Sequence, residues 1–362
     1  MASVIFSEFF LYLCFSILMG SFILSLTPKE SRPTIFVKKG HLLLAALGIT
    51  LFSFTPLVVL ILNLQTRLGW KDAILSVLLT FDIGNGWIFT FVIVLFLLLF
   101  IVKFYHPEQP KYSWIGCLLT VLLIIGLAWT SHASSLEKGI GILTHLLHFT
   151  AVSTWIGVLL VVSWYSKNFA NWLKFLRWYT LLAIGCVLLT TASGIFLMSF
   201  FMDLSQYPDS WTVNYGQFLL IKQLLIISLL IYAAINGIFI RRSLLKNHNF
   251  NPIPWVRAES FVALLIFSTT AAMSQQSPPS AKNLENDRLS FLFEYFYQGQ
   301  YYTGMDVQLG FNTTSILFLI MTILFLVMIF YAFFKKSSAI VTFLLSILFV
   351  FSSYLALILS IR

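Results

Sequence analysis

The chain of 362 residues is 59% hydrophobic, 17% aromatic and only 10% charged, with a mean hydropathy of +0.92. This composition excludes a soluble globular domain and describes an integral membrane protein. The net charge of +9 comes from Lys and Arg clustered between apolar runs, where membrane orientation accounts for them; no basic stripe points to nucleic acid.

A hydrocarbon core about 30 Å thick needs roughly 20 apolar helical residues to cross it. The apolar runs are continuous rather than alternating, which excludes a transmembrane β-barrel. The expected fold class is therefore all-α, a polytopic transmembrane helical bundle forming one integral membrane domain over 1–362. Apolar windows between charged and Pro/Gly breaks predict ten spans, at 5–26, 42–64, 86–104, 114–133, 140–165, 178–202, 217–240, 258–275, 313–334 and 338–360. The first run has Glu8 before it in place of basic residues and no small-x-small cleavage site after it. It reads as a retained helix, not a signal peptide. The apolar segment 72–81 is too short to cross and is expected in a loop or at the interface. Cys14, Cys117 and Cys186 are isolated, with no CxxC spacing, so no disulfide framework is expected.

Alternate loops differ in basic residues. One set holds 15 Lys and Arg, among them Lys29, Arg32, Lys103, Lys167, Arg241, Arg242, Arg257, Lys335 and Lys336; the other holds six, Arg67, Lys71, Lys138, Lys282, Arg288 and Arg362. The bias places the first set in the cytoplasm and both termini outside. Acidic residues including Asp203, Asp209, Glu285, Asp287, Glu294 and Asp306 fall on the outer side. So does the one long connection, the extracellular loop 274–312, whose "FLFEYFYQGQYY" at 291–302 is aromatic enough for the membrane interface.

With this orientation, "THLLHFTAVSTWIG" (144–157) carries His145 and His148 into the membrane from outside, about 8 and 12 Å from the outer end of their span. Spaced i and i+3, both rings can face one partner. Two imidazoles on one helix are half of a copper, zinc or iron site, and equally a means of joining helices by hydrogen bonds. His132, in "SHASS", falls at the outer end of the preceding span. Met198 and Met202 are i and i+4 at the outer end of span 178–202, with Met273 near the outer end of its own span; thioethers are soft donors suited to Cu(I) and are also ordinary packing. Met19 and Cys14 read as packing. His41, His106 and His248 read as solvated. Lys222, about five residues into its span, either snorkels outward or pairs internally, and Glu8 is either a partner or interfacial. Arg257 and Glu259 mark the cytoplasmic start of span 258–275, where the acid serves as first-turn helix charge. No nucleophile triad, Walker loop, dinucleotide fingerprint or HExxH occurs, so no ATP-driven or hydrolytic enzyme is expected.

Taken in order, "SHA" (131–133), "HFTAVSTWIG" (148–157), "TASGIFL" (191–197), "YGQFLLIK" (215–222), "AAIN" (233–236), "VRAE" (256–259) and "PP" (278–279) resemble the copper-resistance protein D (CopD) family of bacterial inner-membrane proteins. The resemblance is clearest over 131–279; the outer portions agree mainly in hydropathy. It implies copper handling, either uptake across the cytoplasmic membrane or extracytoplasmic copper tolerance. It marks His132, His148, Trp155, Tyr215, Lys222 and Asn236 as matching positions, the last four as structural or gating residues, with His145 an additional donor. The chain departs from the pattern at Val158, where a second Gly is common, and at Gly237, where Arg is usual. The 362 residues contain no CopC-like copper-binding domain, so a separate protein of that type is the expected partner, beside copper ion and membrane lipids.

The combined expectation is an outward-facing copper site with His148 and His145 as ligands and His132, Met198 and Met202 as entry or additional ligands. A ladder of weak sites suits conduction better than one closed cage. Two other readings stay open: a b-type haem held by histidines of adjacent helices, and a membrane scaffold or assembly factor whose histidines only join helices.

Overall fold

A computed structural model describes residues 2–105, 110–247, 250–278, 288–297, 299–300, 307–335 and 337–362. His106, His248, Pro279, Lys282, Glu285, Asp287, Asp306 and Lys336 lie outside the described residues, as does part of the 291–302 aromatic segment. Nine described helices are long and apolar enough to cross a membrane, and a tenth apolar helix is shorter. The protein is thus an all-α, multi-pass membrane protein, and the described residues form two compact units, Met1–Phe200 and Phe201–Arg362.

The first unit contains α1 (Ala2–Leu26), α2 (Lys39–Leu68), α3 (Trp70–Leu79), α4 (Asp82–Lys103), α5 (Ser113–Trp129), α6 (His132–Leu136), α7 (Lys138–Tyr165) and α8 (Trp172–Phe201). Gly69 ends α2 at φ 79°, a conformation that favours glycine, and α3 starts at the next residue. The short apolar segment is therefore a ten-residue helix. The predicted span 114–133 is overlong: α5 stops at Trp129, where Ser134 Oγ donates to the Trp129 carbonyl at 2.6 Å. His132 consequently opens a separate helix, α6, instead of closing a span.

Several hydroxyls inside the spans bond back to their own helix. Ser25 Oγ donates to the Ser21 carbonyl (2.8 Å), Thr90 Oγ1 to Gly86 (2.9 Å), Thr120 Oγ1 to Gly116 (2.7 Å) and Ser163 Oγ to Leu159 (2.6 Å). Where two small residues sit four apart, backbones can touch. Ser16 and Gly20 on α1 meet Gly157 on α7: a Cβ at Gly20 would lie 2.1 Å from the Gly157 carbonyl oxygen, and one at Gly157 would lie 2.3 Å from that of Ser16. The same register pairs Tyr12 and Phe15 with Phe149 at ring separations of 5.5 and 5.3 Å, so α1 and α7 run parallel.

The second unit contains α9 (Asn214–Ala234), a π-helical segment Ile235–Ile240, α10 (Arg241–Lys246), α11 (Ile253–Ser274), α12 (Phe291–Phe296), α13 (Thr313–Phe334) and α14 (Ala339–Ile358). The first three are one continuous rod, Asn214–Lys246. Asn312 starts α13 with a reciprocal cap on Ser315 and donates from Nδ2 to the Leu359 carbonyl at 2.5 Å. Thr322 Oγ1 donates to Ser352 Oγ at 3.1 Å. These contacts make α13 and α14 an antiparallel pair.

Candidate functional site

α7 begins at Lys138, so His145 and His148 lie about 10 and 15 Å along it. Both are half-buried, yet their neighbours differ. His148 points at α8: its Nδ1 is 3.1 Å from Ser193 Oγ, and a Cβ on Gly194 would lie 3.3 Å from its Cε1. Ser193 has a single hydroxyl hydrogen, directed to the Leu189 carbonyl at 2.6 Å. With the Ser193 hydrogen on the Leu189 carbonyl, the imidazole donates from Nδ1 and the lone pair of the neutral ring lies on Nε2; with the hydrogen turned to His148, the roles reverse. A second-shell hydrogen bond of this kind fixes the tautomer and orientation of a metal-binding imidazole.

His145 turns toward α1. Its ring lies parallel to Phe149, 6.3 Å between centroids at 17°, and Phe149 packs on Tyr12 and Phe15. Glu8 precedes Tyr12 by four residues just as His145 precedes Phe149, so in this parallel pair Glu8 and His145 stand at one level, a turn beyond the aromatic contact. Tyr12 donates to Glu8 Oε2 at 3.0 Å.

Met198 is four residues beyond Gly194 and so occupies the same face of α8 one turn further on; it is half-buried. Met202 follows the last residue of α8 and is half-buried within the second unit. The imidazole of His132 is exposed. Among the described residues no three His, Cys, Asp or Glu side chains converge in a metal-holding group. Trp155 is 5% exposed, and its carbonyl accepts from Tyr179 at 3.2 Å, which anchors the base of α8. Trp178 Nε1 adds a hydrogen bond to the Ser31 carbonyl at 2.9 Å. The rest of α8 is little covered, with 17% of its most apolar window buried.

In the second unit Tyr215 is buried beside Phe201, 6.3 Å between rings. Lys222 lies about 12 Å along α9, half-buried. Asn236 is buried in the π segment and donates from Nδ2 to Glu259 Oε2 at 2.5 Å. This corrects the expectation for Glu259. α11 starts at Ile253, not 258, so Glu259 stands in its second turn and is 2% exposed, out of reach of the free amides at the helix start.

The model of copper resistance protein D matches residues 173–273, and that of the N-terminal domain of copper resistance protein D-like proteins matches residues 1–142. The chain belongs to the copper resistance protein D family. A curated relative, copper transport protein CutJ of Bacillus subtilis (strain 168), is 27% identical over 296 residues, covering 74% of this chain and 52% of CutJ. This family member thus spans about half the length of the curated relative it matches. No solved structure matches it.

Relative to the family matches, Tyr215, Lys222, Asn236, Met198 and Met202 lie inside 173–273 and His132 inside 1–142, while His145, His148 and Trp155 fall between the two. Sequence reading of this copper resistance protein D family chain missed Ser193 and Gly194 as neighbours of His148. Their signal was available in "TASGIFL", since small residues in a span mark the face that a neighbouring side chain can approach.

Proposed function

We propose that this chain transports copper across the cytoplasmic membrane of a bacterium, taking the ion as cargo at the outward end of α7 and α8. His148 binds through Nε2, Met198 supplies a thioether one turn outward, and His145 with Glu8 offers a second weak station on the α1 side of α7. His132 serves as an entry donor. The excess of Lys and Arg in the opposite loops sets the orientation, and the likeness to CutJ, named a copper transport protein, favours copper over other soft cations.

The observation that carries this reading is the Ser193–His148 hydrogen bond, which orients the imidazole toward α8 with Met198 one turn outward on that helix. Imidazole and thioether suit copper, whereas Mg²⁺ and Ca²⁺ require oxygen ligands. Donors spread over successive weak stations suit an ion that must leave as well as enter. Acidic groups near the outer end concentrate cations only over about 8 Å at physiological salt, so they assist capture and do not replace the ligands.

The test is copper flux into proteoliposomes of known orientation, with copper titrated against a chromophoric chelator for wild type, His148→Ala, His145→Ala and the variant carrying both substitutions. Flux and binding that fall in His148→Ala support the reading. Undiminished binding in the double variant, or a Soret absorbance band in the purified protein, would replace it, the latter with haem binding.

A further inference from the structure

Glu259 is the most deeply buried carboxyl among the described residues, and no cation answers it. Its partners among the described residues are Asn236, which donates from Nδ2, and the Tyr232 hydroxyl, which is within electrostatic reach. Arg257 on the same helix and Arg241 and Arg242 on α10 are exposed. From α9 and the π segment the carboxyl is faced by Tyr232 and Asn236. On α14 the sole titratable residue is Tyr354, which is engaged with Gln217 at 2.5 Å, and Ser346 stands toward Tyr232. On α13 it is Tyr331, which is 60% exposed.

A carboxylate in hydrocarbon surroundings without a cation is costly enough that the group takes a proton instead. Two further observations show a site prepared for both protonation states. Asn236 is 5% exposed and its Oδ1 is buried without a hydrogen-bond partner; Tyr232 is fully buried and its hydroxyl likewise lacks a hydrogen bond of normal geometry. An amide can turn its oxygen to accept from a carboxylic acid or its nitrogen to donate to a carboxylate. The Tyr232 hydroxyl, four residues before Asn236 and so on the same face, can donate to the carboxylate. The backbone there is π-helical over Ile235–Ile240, a local widening that often accompanies function in helices.

We propose that Glu259, Asn236 and Tyr232 form an intramembrane proton-binding site, and that proton exchange at Glu259 is coupled to the copper movement proposed above. The coupling rests on that reading; the proton site does not. Glu259 is a neutral acid at rest. In the exchange step its O–H bond breaks, the electron pair stays on the carboxylate oxygen, and the proton passes to water on the side where α11 begins, about 9 Å away along the helix. Asn236 Nδ2–H and Tyr232 O–H then hold the carboxylate until a proton returns.

The full chain in lipid gives two readouts. Infrared spectra across a pH series should show the carbonyl stretch of a buried carboxylic acid that persists at neutral pH and disappears in Glu259→Gln, with a frequency shift in Asn236→Leu and Tyr232→Phe. Glu259→Gln preserves shape, and Tyr232→Phe provides a folded second variant should it misfold. In liposomes carrying a pH-sensitive dye, copper entry should move protons in wild type and none in Glu259→Gln. Copper flux without proton movement in wild type would overturn the coupling. A carboxyl band unchanged by Glu259→Gln, or absent at neutral pH, would overturn the site. Absence of copper flux with the band intact would overturn the copper reading and the coupling while upholding the proton site.

Discussion

Gly20 and Gly157 meet backbone to backbone, so close that a Cβ at Gly20 would lie 2.1 Å from the Gly157 carbonyl oxygen. Gly157→Ala should destabilise the protein by about 1–3 kcal/mol, the range for overpacking a close contact. Gly185 on α8 has nothing within 4 Å of its missing Cβ, so Gly185→Ala should be neutral or stabilising by up to about 1 kcal/mol. Thermal midpoints in detergent check both, and equal midpoints for the two variants would remove the α1–α7 contact as a determinant of stability.

Ser193→Ala should weaken copper binding by about 10–100-fold, the usual cost of losing a hydrogen bond that orients a ligand. The Leu189 carbonyl remains in its helical hydrogen bond, so helicity should not change. Chelator competition measures affinity and circular dichroism the helix; an unchanged affinity would show that the His148 tautomer is immaterial to binding.

Lys222 makes no ion pair among the described residues. Lys222→Met, of similar length and apolar, should therefore leave the thermal midpoint unchanged or raise it, and should lower copper flux if the position gates. A midpoint that drops by several degrees would instead reveal that the ammonium holds the unit together.

Tyr207 donates to Gln223 Oε1 at 2.5 Å, and burial pushes its phenol up to about 12. The folded value exceeds the unfolded value of about 10, so the unfolded chain binds fewer protons between them and stability falls there as pH rises. The contribution is complete below about pH 10 and lost through about pH 12. Tyr207→Phe should cost about 1 kcal/mol at neutral pH, and the gap between wild type and variant should close on titration from pH 9 to 12. Thermal melts along that series measure it.

Much of the fold was legible because lipid imposes one rule on every span, a long apolar run with its backbone satisfied within the helix. The edges were less legible. α11 starts at Ile253 and the α9–α10 rod continues to Lys246, because helices extend beyond the hydrocarbon core into regions where charged residues are welcome. The direction of each imidazole was not legible at all. A spacing of i and i+3 permits one shared partner, yet the Ser193–Gly194 gap draws His148 toward α8 while Phe149 and its aromatic neighbours hold His145 toward α1. Glu259 was misread for a related reason: one missed helical turn converts an end-of-helix charge into an enclosed acid.

The bare-backbone seam between α1 and α7 makes α7 a stator. Rolling it to re-aim His148 would pry Gly157 off Ser16 and Gly20, so the imidazole is carried on a fixed wall. The opposing surface is fastened low, through Trp178 and Tyr179, and above them by the Ser193–His148 hydrogen bond. Any change in the gap at His148 would therefore come from α8, which carries Ser193, and not from α7.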